Sequence, residues 1–333
     1  MKIILIQHLM LASLLIVTTN CQVNKGPKII NGNALGTTYT IKHDSNLSNN
    51  DLIFEIDNIL EDINNSMSTY DKDSDISKIN NGYLIQVDQY FRKVYEKSFE
   101  IWIQTGGAFD PTVGSLVNAY GFGPDQKNIK PLSETKIDSL LQLTGFDKIK
   151  LDDNGVIVKS NKNVKLDFNA IAKGFTVDII SKYIEKQGGK NFLVEIGGEI
   201  FAKGINPKNN QPWKIGIEYP DSSSLKRKNY DIYSLNDKAI ATSGNYRHFR
   251  LDKITGKKFY HTIDPRTGKS VQSKILSASV ISSDCITADA WATSLMVLSL
   301  NEGINLVESN SNIEALWIIS TDSGFKSVFS SGW

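Results

Sequence analysis

An α+β fold is predicted by three observations. One-faced helical spacing dominates the first half of the chain, strand-like alternation dominates the second, and the two are not interleaved in the β-α-β order of a parallel sheet. With 333 residues, 40% of them hydrophobic, the chain can bury a substantial core. Two lobes meeting over a cleft suit this mixture, and no low-complexity linker divides it. The 37 basic and 36 acidic residues leave a net charge of +1, so no long-range field favours nucleic acid as a partner.

The elements follow in chain order. Met1-Lys2 and the apolar run Ile3 to Val17 read as an export signal over residues 1–20, too short for a membrane span. Cys21 stands where a lipoprotein signal places its acylated cysteine, and residues 21–30 read as a tether to a domain covering 31–333. Simple secretion is the alternative. Processing removes Lys2 and no acidic residue, which leaves the charges balanced. With Cys21 acylated, Cys285 has no intramolecular partner. The acyl chains would hold the protein on the periplasmic side of a bacterial envelope membrane.

Ser48 to Asn50 are capping residues, and Leu52, Ile56, Ile59, Leu60 and Ile63 then recur at three and four, the stripe of a helix. Phe91, Val94, Ser98 and Trp102 predict a second helix stopped by Gly106-Gly107. Ser133 to Leu143 and Asn169 to Lys186 predict two more. Strands are expected at 155–159, 192–201, 213–218, 230–233 and 275–281. Asp284 to Leu300 reads as a helix, Glu302 to Ser309 as a short one, and Ala315 to Ile319 as a buried strand. Lys226-Arg227-Lys228 reads as a solvated loop.

No strand-linked G-x-G-x-x-G, no G-x-x-x-x-G-K-[ST] and no G-x-S-x-G is present, so three common routes to phosphate binding and acyl transfer are unsupported. After processing only His43, His248 and His261 remain, without metal-ligand spacing.

Several segments carry chemistry. Asp289 and Thr293 lie four apart on one helix face, a carboxylate and a hydroxyl suited to Mg2+; an intrahelical hydrogen bond is the plain alternative. Asp167 to Gly174 sets an acid, a helix start and Lys173 within two turns, a place for phosphate or simply an Asp N-cap. His261 ends a strand beside the turn Asp264-Pro265-Arg266 and suits a general base, or a surface histidine. Thr242 to Arg247 is a polar turn offering hydroxyl and amide donors. Gly106-Gly107-Ala108-Phe109-Asp110 lets a ligand approach backbone beside a carboxylate, and Tyr70 offers a ring to stack on a planar heterocycle.

Taken together and in order, these segments resemble the ApbE family of FAD:protein FMN transferases. The resemblance runs from Leu35-Gly36-Thr37-Thr38-Tyr39 through Met67 to Tyr70, Gly107 to Pro111, Asp167 to Gly174, Glu195-Ile196-Gly197-Gly198-Glu199, Thr242 to Gly244 and His261 to Gly268, to Ala288 to Thr293. It implies a lipid-anchored envelope enzyme with a central FAD cleft that uses Mg2+ to join the FMN phosphate to a threonine of an acceptor in an envelope redox system, releasing AMP. Carried over by position, the metal site falls on Asp289 and Thr293 with the carbonyls of Ala170 and Ala292. The FAD contacts fall on Leu35, Tyr70, Ala108, Phe109, Asp110, Asp167, Lys173 and Ile263. Leu35 stands where the family commonly shows Met, a tolerable apolar exchange. Asn245 stands where it commonly shows Asp, which bears on any charged role of that turn.

In this reading Asp289 carries the metal, His261 takes the threonine proton, Tyr70 holds the isoalloxazine, and Asp110 and Asp167 share the ribityl and adenosine hydroxyls. An FAD pyrophosphatase giving FMN and AMP, and a flavin-binding lipoprotein without catalysis, are the competing readings.

Overall fold

The structure, a computed structural model, describes residues 26–124, 132–218, 220, 229–245, 249–251, 256 and 258–333. The export signal, Cys21, Lys226-Arg227-Lys228 and Tyr246 to His248 therefore lie outside the described residues.

Chain order begins with a hairpin that sequence reasoning did not foresee, Lys28–Ala34 (β1) and Thr37–His43 (β2), with Ala34 opposite Thr37. Its loop is therefore the pair Leu35-Gly36, at φ 49° and 76°. Two left-handed residues are what a tight hairpin needs to match the strand twist. For Leu35 that conformation costs about 1–2 kcal/mol. The strand starts inside the segment expected as tether, and Lys28 is anchored there, donating to the Ser45 and Leu47 carbonyls at 2.9 and 2.6 Å.

The six helices expected from the sequence form. Asn49–Met67 (α1) is capped by Ser48 and buries Leu52, Ile56, Ile59, Leu60 and Ile63. Asp75–Asn80 (α2) was not foreseen. Gln89–Gln104 (α3), capped by Asp88, ends before Gly106 and Gly107, both at positive φ. Gly114–Ala119 (α4) precedes Glu134–Leu141 (α5), whose cap is Ser133. Ile149–Leu151 (β3) and Ile157–Lys159 (β4) pair as a small hairpin.

Ala172–Lys186 (α6) begins three residues later than its spacing suggests. Asp167 is the reason: its carboxylate accepts the Asn169 amide at 2.8 Å, and the Ile171 and Ala172 amides both turn back to the Phe168 carbonyl. A turn thus occupies 168–171, and the helix has Ile171 at its cap, with no side-chain hydrogen bond.

The run expected as one strand at 192–201 is two, Phe192–Ile196 (β5) and Glu199–Lys203 (β6), because Gly197 and Gly198 take φ of 63° and 107° and reverse the chain. Ile205–Asn206 (β7), Gln211–Glu218 (β8) and Asn229–Leu235 (β9) make a separate three-stranded sheet. Lys238–Gly244 (β10) follows, then the short pair Phe249–Leu251 (β11) and Lys258–Tyr260 (β12). Ile275–Ser282 (β13), Cys285–Val297 (α7), Leu300–Glu308 (α8), Ile313–Thr321 (β14) and Gly324–Phe329 (β15) complete the chain. The main sheet has eight strands in the order β1-β2-β5-β6-β10-β13-β14-β15, with every neighbouring pair antiparallel. Helices and an antiparallel sheet combine as the α+β class requires. Among the described residues no helix is long and apolar enough to cross a membrane.

Helix α7 lies at the centre. Every one of its residues but Thr293 is buried, which suits a sequence apolar on all sides. It packs between α6 and the strands β10 and β13. The two helices cap each other. Asp178 of α6 accepts the Cys285 and Ile286 amides at 2.8 and 2.9 Å, and Asp289 of α7 accepts the Gly174 amide at 2.9 Å. Burial pushes the Asp178 carboxyl up to about 7, against the pull of those two amides.

Asp178→Ala leaves two buried amides at the start of α7 without acceptors and should cost about 2–4 kcal/mol of stability. Urea unfolding measures this, and a loss under about 0.5 kcal/mol would contradict the cross-cap.

Candidate active site

Strand register gathers the candidate residues at one end of the main sheet. Tyr39 pairs with Ile196, Ile196 with Glu199, Ile240 with Ile200 and Gly244 with Ser277. The turns Leu35-Gly36 and Gly197-Gly198 and the strand end Ser243-Gly244 therefore share one edge. Gly197 donates to the Thr38 carbonyl at 3.0 Å, tying the first two turns together. Thr293 of α7 meets the third, its hydroxyl 3.2 Å from that of Ser243.

The charged centre lies beneath this edge. Lys173 Nζ stands 3.3 Å from Glu199 Oε1 and 3.9 Å from Asp289 Oδ2. The two carboxylate side chains retain 5% and 3% of their exposure and the lysine 27%, so the lysine is the member a ligand meets from outside. Burial opposes charge on Lys173, but Asp289 and Glu199 outweigh it and raise its pKa. Burial likewise pushes the Glu199 carboxyl up, against the lysine's pull.

Gly174 lets these groups meet. A Cβ there would overlap the Cys285 carbonyl and stand 2.7 Å from Asp289 Cβ. The close approach also supplies a cap. Gly174 is the third residue of α6, so its amide has no acceptor within the helix, and it donates to Asp289 Oδ2. Ala170 lies in the turn before the helix cap, outside the helix ladder. Ala292, one residue before Thr293, is buried.

Around the centre runs an aromatic rim. Tyr70 is 61% exposed, and its hydroxyl lies 3.5 Å from the Phe122 carbonyl. Burial of its phenol and then the Asp167 charge raise its pKa, so the two residues are close enough to interact. Phe122 meets His261 edge to face at 6.3 Å and carries the Arg250 guanidinium 5.4 Å above its ring. His261 is half-buried. The next residue, Thr262, donates to Asn245 at 2.7 Å, so the amide that stands where the family resemblance suggests an acid serves as an acceptor in this turn.

The remaining expected ligand residues make other contacts. Ala108 and Phe109 are buried in the main core, and Ile263 in a smaller cluster with Leu116, Tyr120 and Leu140. Asp110 has both oxygens filled by its own chain: Oδ1 accepts from the Thr112 amide and hydroxyl at 2.8 and 2.6 Å, and Oδ2 from the Phe146 amide at 2.9 Å. Burial raises the pKa of both Asp110 and Asp167. Leu35 borders a cavity of about 870 Å³ between the β1–β2 turn and the α1 residues Asp57, Glu61 and Asn64; Asp289, Lys173 and Thr293 are not among its lining residues.

Sequence reasoning gave no role to Glu199 or Asp178, while Ser243 belongs to the polar turn expected to offer hydroxyl donors. Asp178 was signalled by an acid inside the apolar stretch Phe175 to Ile180, and Glu199 by its place directly after a Gly-Gly turn. Cys285 is buried and free, and burial raises its pKa well above the usual thiol range.

Residues 35–317 match the model of the ApbE family. The chain is 37% identical over 330 residues to the FAD:protein FMN transferase of Vibrio cholerae, a match covering 97% of this chain and 96% of that relative. It is 36% identical over 324 residues to the FAD:protein FMN transferase of Haemophilus influenzae, with 94% and 92% covered. Among solved structures it resembles the flavin transferase ApbE from Vibrio cholerae with a TM-score of 0.81 at 35% identity, over 91% of this chain and 97% of that one.

Gly174→Ala should force α6 and α7 apart and lower stability by about 1–3 kcal/mol, the usual cost of overpacking. Thermal or urea melts measure it; a variant as stable as the parent would show that the helices do not depend on this contact.

Proposed function

We propose, for a chain that belongs to the ApbE family, that its transfer of FMN from FAD to a protein takes place around Asp289, with Mg2+ at that carboxylate and a threonine hydroxyl as the acceptor. The chain is an enzyme, an FAD:protein FMN transferase, with FAD as its substrate and a protein as the second one. The metal, the acceptor atom and the residue roles are the parts we add.

The Asp289 carboxylate, buried at the start of α6, carries the metal reading. Asp289 Oδ2 takes the Gly174 amide and faces Lys173, which leaves Oδ1 as the oxygen to offer a cation. Thr293, the one residue of α7 not buried, adds a hydroxyl on the same helix face, and Ala170 and Ala292 add carbonyls. Among the described residues no group of three or more His, Cys, Asp or Glu is placed to hold a metal. A set of one carboxylate, a hydroxyl and carbonyls suits Mg2+, which prefers few protein oxygens and leaves room for phosphate. Bound there, Mg2+ would neutralise phosphate charge and ease departure of AMP.

The side chains do the rest. Lys173, the approachable member of its cluster, sets an ammonium beside the phosphates. Tyr70 and Phe122 give the flavin an aromatic wall, and the exposure of Tyr70 leaves that wall open to a protein. His261, in contact with Phe122, takes the hydroxyl proton. The threonine Oγ bonds to the FMN phosphorus, the phosphoanhydride bond breaks, and AMP leaves with the electron pair. Leu35, Ala108, Phe109, Asp110, Asp167 and Ile263 shape the walls against which FAD lies. We place the enzyme in the bacterial envelope, exported by residues 1–20 and held by lipid on Cys21; a mature amino terminus without acyl chains in mass spectrometry would remove that assignment.

Incubation with FAD, Mg2+ and a threonine-bearing acceptor should add the mass of FMN to the acceptor and release AMP. Asp289→Ala should lose Mg2+-dependent transfer, and full activity of that variant in EDTA would eliminate the metal assignment. His261→Ala should still bind FAD yet transfer roughly 10²- to 10⁴-fold more slowly. Soluble FMN with an unmodified acceptor would point to a pyrophosphatase instead.

A further inference from the structure

We infer that Glu199 is a positioning residue: it holds the Lys173 ammonium off Asp289 and so keeps that carboxylate available to a divalent cation. The inference rests on the Mg2+ reading above and assigns to that site a residue which sets its metal affinity without touching the metal.

The geometry is a lysine between two buried acids, nearer the one outside the metal set: 3.3 Å to Glu199 Oε1 against 3.9 Å to Asp289 Oδ2. Glu199 reaches this place because the Gly197-Gly198 turn sets it as the first residue of β6, at the sheet edge where the other turns converge. Its second oxygen, Oε2, is buried without a hydrogen-bond partner. That oxygen is packed beneath the turn, where a Cβ on Gly197 would lie 3.4 Å from it and 2.7 Å from the Thr37 methyl. A buried carboxylate with one oxygen unsatisfied costs stability, and stability alone would favour an apolar side chain here. What the carboxylate does is compete for the lysine. Without it, Lys173 has Asp289 as its remaining acid and can close the gap to a full ion pair. A contact ammonium and a divalent cation cannot both occupy the same carboxylate at full strength.

The test uses the full chain and reads metal binding directly, through the electron paramagnetic resonance signal of free Mn2+, with Mg2+ as competitor. Glu199→Gln keeps the volume and removes the charge. It should weaken Mn2+ binding by about tenfold or more, and raise the Mg2+ needed for half-maximal transfer in step, while saturating Mg2+ restores kcat. The double variant Glu199→Gln with Lys173→Met removes both charges, so it tests the idea even where the single variant does not fold. It should bind Mn2+ within about threefold of the parent, since no lysine is left to compete. Unchanged binding in Glu199→Gln, or a double variant as weak as the single, overturns the inference; the second result would make Glu199 a ligand in its own right. Should the parent itself bind no Mn2+ that Asp289→Ala abolishes, it is the metal reading that fails.

Discussion

Two carboxylates exchanged between neighbouring helices organise this molecule. Helices α6 and α7 both begin in the interior, where their first amides cannot turn to water. Asp178 and Asp289 serve each other's helix at those starts, and the order of the contacts makes the pair antiparallel. α6 needs the borrowed cap, because its own cap residue is Ile171, which has no side-chain acceptor. Gly174 keeps the axes close enough for the exchange.

This exchange binds structure to chemistry. Oδ2 of Asp289 is committed to the fold, and in the proposed metal site Oδ1 is the oxygen offered to the cation. The cost is concentrated: three ionisable groups, Lys173, Glu199 and Asp289, lie together in the interior, and the lysine is stabilised as a cation by the two acids.

The surroundings divide between rigid and open parts. Asp110 and Asp167 have their carboxylates bound to neighbouring backbone amides, so what they fix is the path of the chain before α4 and α6. Phe122 is tied to Arg250 and His261 by ring contacts and to Tyr70 by a hydrogen bond, and of the four Tyr70 is the one left exposed. The strained Leu35 sits at the tip of the first hairpin, on the same sheet edge.

Spacing of apolar residues was enough to determine α1, α3 and the interior helix α7, because burial of one stripe or of a whole surface is written locally in the order of side chains. The family resemblance, carried by short motifs, likewise singled out Asp289, Thr293 and Lys173. Local order did not reveal the β1–β2 hairpin, whose strands mix polar and apolar residues and gain their stability from β5. It did not reveal the split between β5 and β6, or the late start of α6, which Asp167 delays. Above all it left Glu199 and Asp178 without a role. Their partners stand 26 and 107 positions away in sequence, at Lys173 and Cys285, and only the packing of one helix on another and on the sheet end decides which buried charge faces which.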